Sequence, residues 1–218
     1  MVTSLNVNKF GPKCEHSNVH KLNLCLSNIE NINLRSTKLT NRQCSEIFKV
    51  SKGDSKLKVL NIGNNDLMSV ETDTLAKTVN KVKECNLYSC KMSVHQLEAI
   101  FKLLNEDCKL KILNMSGVTL SLVEVDVISK AIANLEEVDL RDTDLTTEQL
   151  EAIFMEIKSR RKLKNLILCA EDLRSVQIDS LVEALRCLEG VNLDEAWLTP
   201  EQWAAVSNIP EDCMPKAL

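Results

Sequence analysis

Only three histidines occur in the 218 residues, and G-x-S-x-G, G-x-x-x-x-G-K-[ST] and H-E-x-x-H are all missing. Those patterns set a nucleophile on a sharp turn, wrap a phosphate in backbone N–H groups, or aim two imidazoles at one zinc ion. Without them we expect a non-enzymatic protein that needs no cofactor. No stretch approaches the roughly 20 apolar residues of a membrane-spanning helix, and Met1 to Lys13 lacks the apolar run of a secretory signal. The largest contiguous basic run is Arg160-Arg161-Lys162, too small to point to nucleic acid. The nine cysteines are odd in number and scattered, which points to free thiols in a reducing, cytoplasmic compartment. Asn114-Met115-Ser116 is a formal glycosylation sequon, but it falls within a predicted strand and is read as a chance match.

Charge is unevenly spread. Residues 1–109 hold 16 Lys and Arg against 11 Asp and Glu, a balance of +5; residues 110–218 hold 11 against 20, a balance of −9. Such a gradient steers an oppositely charged partner, although drift between segments gives the same pattern.

What the sequence does contain is a period. Residues 82–140 align with residues 135–193 without a gap, at a step of 53 residues. Each period splits into units of 28 and 25 residues, the longer beginning at Ile29, Val82, Leu135 and Leu188 and the shorter at Leu57, Leu110 and Leu163. Every unit carries a variant of L-x-x-L-x-L, such as Leu135-Val138-Leu140 or Leu163-Leu166-Leu168. Self-similarity of this length identifies stacked strand–helix repeats. Alternation along a strand sends the last two apolar residues inward and the residue between them outward.

Helix starts are written into the longer units. Thr40 to Gln43, Ser93 to Gln96, Thr146 to Gln149 and Thr199 to Gln202 match a capping box, with Pro200 at the favoured first helical position. Leu97-Ile100-Phe101-Leu104 and Leu150-Ile153-Phe154-Ile157 continue at helical spacing. In the shorter units Ser69, Ser121 and Ser175 stand where caps are expected. Phe48, Phe101 and Phe154 share the period and are expected in the core, with Trp203 filling the last copy.

Two alternating unit lengths with L-x-x-L-x-L strands and full helices resemble the ribonuclease-inhibitor-like class of leucine-rich repeats, which also supplies the C-terminal ligand-sensing arrays of NOD-like receptors. The resemblance covers Ile29 to about Val206. It implies an α/β fold, a right-handed solenoid curved into a horseshoe arc, with a parallel β-sheet on the concave face and helices on the convex face. It also implies binding of another macromolecule rather than catalysis. We expect a degenerate capping repeat over 1–28, seven repeats over 29–206 and a terminal cap over 207–218, in one continuous domain. Two features depart from the class. The shorter units have 25 residues, and the asparagine or cysteine expected after each strand occurs only at Asn65 and Cys90, with Thr37, Val118, Thr143, Glu171 and Ala196 elsewhere.

Outward strand positions form a ladder: Asn33, Asn61, Asn86, Asn114, Asp139, Ile167 and Asn192, flanked by Arg35, Gly63, Tyr88, Ser116, Arg141, Cys169 and Asp194. The asparagines read either as stacked amides bonded to one another or as a polar recognition floor with Arg35, Tyr88 and Arg141 as larger contacts. Glu137, Asp139, Asp142, Glu171, Asp194 and Glu195 make the C-terminal concave edge acidic, which suits a protein partner with a basic patch or simple solubility. Trp197 belongs in a loop, marking a docking surface or folding against the final cap. Cys85 and Cys44 fall at core positions, Cys90 after a strand, Cys169 on the concave face, and Cys108 and Cys187 in loops. Cys14, His16, His20 and Cys25 have metal-compatible side chains but no common zinc spacing, and an exposed capping segment accounts for them better. The expected function is protein binding through the concave face by a monomer or weak oligomer, with no nucleic acid, membrane or metal. The alternative is innate immune sensing of a microbial ligand.

Overall fold

The computed structural model describes residues 4–6, 29–38, 48, 56–104, 108–210 and 213–218. The expected capping box at Thr40 to Gln43, Cys44, and the set Cys14, His16, His20 and Cys25 lie outside the described residues. Two compact units divide the chain, residues 1–113 and 114–218.

The strands β1 to β8 are three residues long because each uses only the outward–inward–outward core of the repeat pattern, and the terminal β9 has two residues. In the first unit these are β1 (Ser4–Asn6), β2 (Asn31–Asn33), β3 (Val59–Asn61) and β4 (Glu84–Asn86), with β5 (Ile112–Asn114) at the boundary. β1 to β4 pair in parallel and in sequence order, so that Leu5, Ile32, Leu60 and Cys85 are successive partners. The second unit holds β6 (Glu137–Asp139), β7 (Asn165–Ile167), β8 (Gly190–Asn192) and β9 (Lys216–Ala217), again parallel, with Val138, Leu166, Val191 and Ala217 in register. Central residues Ile32, Leu60, Cys85, Leu113, Val138 and Leu166 are buried, as alternation requires. In the last copy Val191 and Leu193 are only half-buried.

Helices follow the strands: α1 (Thr72–Lys81), α2 (Val94–Leu104), α3 (Val125–Ile132), α4 (Thr147–Arg160), α5 (Ile178–Leu185) and α6 (Pro200–Ser207). Their buried faces carry the expected apolar sets, and Phe48, Phe101 and Phe154 are at most 1% exposed. Each such side chain contributes roughly 1.5–3 kcal/mol of burial. Trp203 does not substitute for them. It is 47% exposed, since no further repeat packs over the last helix among the described residues.

The serines of the shorter units are not caps. Val70, Val123 and Val176 N–H donate to Leu67, Leu120 and Leu173 carbonyls, each at 2.9 Å, so Ser69, Ser121 and Ser175 sit inside i→i+3 turns and the helices begin later. Glu71 caps α1 by accepting from Thr74 N–H at 2.9 Å; α3 and α5 follow Glu124 and Gln177 without a side-chain cap bond.

The capping boxes have a second task that their sequence pattern does not reveal. Gln96, Gln149 and Gln202 are each 1% exposed. Their Oε1 atoms accept from Ser93, Thr146 and Thr199 N–H at 2.9, 3.0 and 2.8 Å. Their Nε2 groups donate back to the preceding unit: Gln96 to Leu67 and Val70 carbonyls, both at 2.8 Å, Gln149 to Leu120 and Val123 at 3.0 and 2.7 Å, and Gln202 to Leu173 and Val176 at 2.7 and 2.8 Å. One amide thus closes a helix start and clasps the turn before it. Gln149→Ala loses both functions and leaves a buried carbonyl unmet, a loss of about 2–4 kcal/mol, whereas Thr146→Ala loses about 1 kcal/mol. Urea denaturation of the two variants checks this, and equal losses would remove the clasp as a separate contribution.

Candidate interaction surface

The outward strand row is locked from within. Asn33 Oδ1 accepts from Arg35 N–H at 3.1 Å, Asn61 from Gly63 at 3.1 Å, Asn86 from Tyr88 at 3.0 Å and Asn114 from Ser116 at 2.9 Å. Asp139 does the same for Arg141 at 3.2 Å and Asn192 for Asp194 at 2.8 Å. Of the two readings of the amides, stacking on one another or a polar recognition floor, the first is not what forms: each carbonyl turns to its own chain two residues on, the local alternative that Asx side chains offer a backbone leaving a strand. One rung does run between strands, from Asn114 Nδ2 to Asp139 Oδ2 at 3.1 Å. Ile167 cannot form the lock. One residue past each locked N–H the chain turns through positive φ, at Ser36, Asn64, Ser89, Gly117, Asp142 and Glu195, and Ala170 makes the same turn without a lock. This recurrent turn sets where the flanking side chains leave the sheet.

In the first unit the Arg35 guanidinium lies over the Tyr88 ring, 5.0 Å from its centroid. Gly63 occupies the row between them. A Cβ there would stand 3.0 Å from Asn86 Oδ1 and 3.2 Å from the Tyr88 carbonyl, so the missing side chain leaves the path that Arg35 crosses. Two large residues separated by glycine in one row were the available sequence signal for this pair.

In the second unit Arg141 grips Asp139 with Nε at 3.0 Å from Oδ1 and Nη2 at 2.6 Å from Oδ2. Hydrogen bonding to Asp139 raises the Arg141 pKa further. Asp139 is buried, so it belongs to the scaffold and not to an exposed acidic edge. Glu137 accepts from Asn165 Nδ2 at 3.2 Å and is half-buried. Asp142, Asp194 and Glu195 are exposed and keep the expected acidic character. Cys169 Sγ donates to Asn192 Oδ1 at 2.9 Å, and burial raises its pKa.

Glu171 is a correction. It was expected on the acidic edge, yet it is buried at the position that Asn65 and Cys90 take in their units. Asn65 Nδ2 donates to Leu34 and Ile62 carbonyls at 2.9 and 2.8 Å, and Cys90 Sγ to Ile62 O at 3.1 Å. Burial pushes that thiol up to about 11. Glu171 instead accepts, taking Thr143 N–H at 2.6 Å, and the Thr143 hydroxyl lies 2.7 Å from Leu140 O and 3.0 Å from Glu171 Oε1. The class position is filled, but by an acceptor that needs a hydroxyl partner in the neighbouring turn.

Trp197 is 60% exposed. Its backbone pairs with Glu171 O and Leu173 N at 3.0 and 2.9 Å, and its ring carries Arg174 at 5.0 Å. Its contacts therefore run back to the preceding turn, not to a final cap. Arg174 also holds Asp172 at 2.8 Å and keeps that carboxyl below its usual range.

No protein-family model matches the chain, and no curated protein matches it in sequence. Solved structures do. The leucine-rich repeat-containing protein LegL7 of Legionella pneumophila aligns over 89% of this chain and 64% of its own, at 15% identity and a TM-score of 0.55. A leucine-rich-repeat protein of Leptospira interrogans aligns over 100% of this chain and 54% of its own, at 20% identity and a TM-score of 0.58. The chain thus spans less than two thirds of the length of either structure. Its fold is the α/β fold of leucine-rich repeat proteins.

Desolvation raises the Glu171 pKa, and the bonds from Thr143 only partly oppose this. A carboxyl raised in the folded state contributes stability below its unfolded pKa and loses that contribution as pH rises through the folded one. Glu171→Gln removes this titration. We expect the melting temperature of the natural protein, relative to Glu171→Gln, to fall as pH climbs from the ordinary carboxylate range towards neutrality. A difference that stays constant with pH would contradict the burial argument.

Proposed function

We propose that this chain is a non-enzymatic protein-interaction module that binds a protein partner through its strand face, the concave face of the repeat class. The observation that carries this reading is the set of internally locked residues in each unit, Asn33, Asn61 and Asn86 in the first and Asn114, Asp139 and Asn192 in the second. Because the locks hold the flanking side chains before any partner arrives, little conformational freedom is lost on binding. The contact set we assign is Arg35 and Tyr88 with Asn33, Asn61 and Asn86 in the first unit, and Asp142, Asp194 and Glu195 in the second. Asn114, Glu137 and Asp139 support it from beneath, Arg141 is exposed beside them with its charge held by Asp139, and Glu171 supports the turn. The exposed acids favour a partner with a basic patch.

The ribonuclease-inhibitor-like subclass belongs to the same reading and is supported by the alternation of 28- and 25-residue units. A reducing, cytoplasmic setting belongs to the same reading and is supported by the odd number and scatter of the nine cysteines; Cys85 and Cys90, free thiols buried in the core, would stay unpaired in either setting. Burial raises the pKa of both, so they pack as apolar side chains and have little thiolate to oxidise.

The test is affinity capture from native lysate with an Asp142→Asn, Asp194→Lys variant beside the natural protein. Asparagine is chosen at 142 because the backbone there has φ 52°, a conformation it tolerates. Recovery of the partner should drop about tenfold, the equivalent of ~1.4 kcal/mol, with circular dichroism unchanged. Equal recovery by the folded variant would overturn the assignment of this surface.

A further inference from the structure

Lysines that are far apart in sequence are stacked by the strand register of the first unit. Lys56, Lys81 and Lys109 each precede the first core residue of a repeat, and Lys58, Lys83 and Lys111 each follow it. Backbone bonds hold successive turns in step: Lys58 N–H donates to Glu30 O at 2.7 Å, Lys83 N–H to Lys58 O at 2.7 Å, and Lys111 N–H to Lys83 O at 2.8 Å. With neighbouring strands about 4.8 Å apart, the six lysines form two columns where the chain enters the sheet. Five are exposed and Lys111 is half-buried. Lys58 is paired with Glu30 at 3.0 Å, while Lys56, Lys83 and Lys109 have no acidic partner among the described residues.

The fold does not demand lysine at these places. The same positions in the second unit hold Asn134, Lys162, Cys187, Glu136, Lys164 and Glu189, with Lys164 matched to Glu189 at 3.0 Å. Stacked ammonium groups repel one another, so the columns carry a cost that an anion placed across them removes.

The strand face beside the columns has the same bias. The locks on Asn33, Asn61 and Asn86 consume each Oδ1 and leave the Nδ2 groups as donors without a partner among the described residues. Among the described strand residues of this unit, Glu84, half-buried, is the carboxylate. We infer that the lysine columns and the adjoining amide row bind an acidic polypeptide segment, with its carboxylates on the lysines and its carbonyl oxygens on the amide donors. Lysine is a point charge on a flexible stem and sets no fixed geometry, which suits a run of aspartates and glutamates. Single-stranded nucleic acid also needs several rings for its bases, and Tyr88, with Arg35 over one face, is the one exposed Phe, Tyr or Trp of this unit among the described residues. A membrane surface favours apolar side chains beside the charges, but Met68 and Tyr88 are the exposed large apolar residues of this unit among those described.

Fluorescence anisotropy with a labelled Asp/Glu-rich peptide tests this, with single-stranded RNA and phosphatidylserine vesicles as parallel arms. The peptide should bind in a salt-sensitive manner. Lys56→Glu, Lys83→Glu, Lys109→Glu together should weaken it about tenfold or more, and the Lys→Gln set at the same positions should weaken it less. The Asp142→Asn, Asp194→Lys variant should bind the peptide as the natural protein does, so this inference and the acidic-edge assignment fail separately. Tighter binding of RNA or vesicles than of peptide, or undiminished peptide binding by the folded Lys→Gln protein, would overturn it.

Discussion

A strand of three residues cannot hold itself, and a loop folded inside a protein must find partners for its own carbonyls. In this chain both problems meet at one buried amide per period. Gln96, Gln149 and Gln202 accept from the residue that caps their own helix and donate to two carbonyls of the preceding turn. The turn fixes the height at which the next helix begins. Helix and strand are then joined by short connections, so the outward strand rows inherit the same spacing. The placement of Asn61, Tyr88 or Asp194 on the surface is downstream of that amide.

Much of this was legible before any coordinates. The period placed Phe101 and Phe154 in the core, Cys85 beneath the sheet and Gln149 at a helix start, because hydrophobic alternation and capping chemistry are local. What was missed depends on the neighbouring turn. Gln149 reads as a capping residue, and only stacking brings Leu120 O and Val123 O to its other end. Glu171 reads as a surface acid, since its partner Thr143 lies 28 residues away. Ser121 reads as a cap until the Leu120–Val123 turn is seen to enclose it. The lysine columns escape a linear scan for the same reason: their members are 25 or 28 residues apart.

The two units use one backbone plan for opposite electrostatic purposes. In the first, the locked asparagines keep donors without a partner among the described residues and the Arg35 guanidinium rests on the Tyr88 ring. In the second, the Asn114 donor is spent on Asp139, the Arg141 charge is spent on the same carboxylate, and Ile167 leaves a gap in the row. What remains outward there is acceptor-rich. A side chain that looks identical in the repeat pattern therefore has a different chemical value, depending on what the next strand offers it.

The clasp has a direction. In all three copies among the described residues it ties a 28-residue turn to the 25-residue turn before it, as in Gln96 to Leu67 and Val70. For the clasp the repeating piece is therefore the pair that begins at Leu57, Leu110 or Leu163, while Asn65 to Leu34 and Thr143 to Glu171 bond across the starts at Leu57 and Leu163. Gain or loss of one turn alone would leave a glutamine facing the wrong loop or a loop without its glutamine. Gain or loss of 53 residues would leave every clasp intact. By the clasp alone, 53 residues is therefore the smallest change in length that leaves no glutamine without its turn.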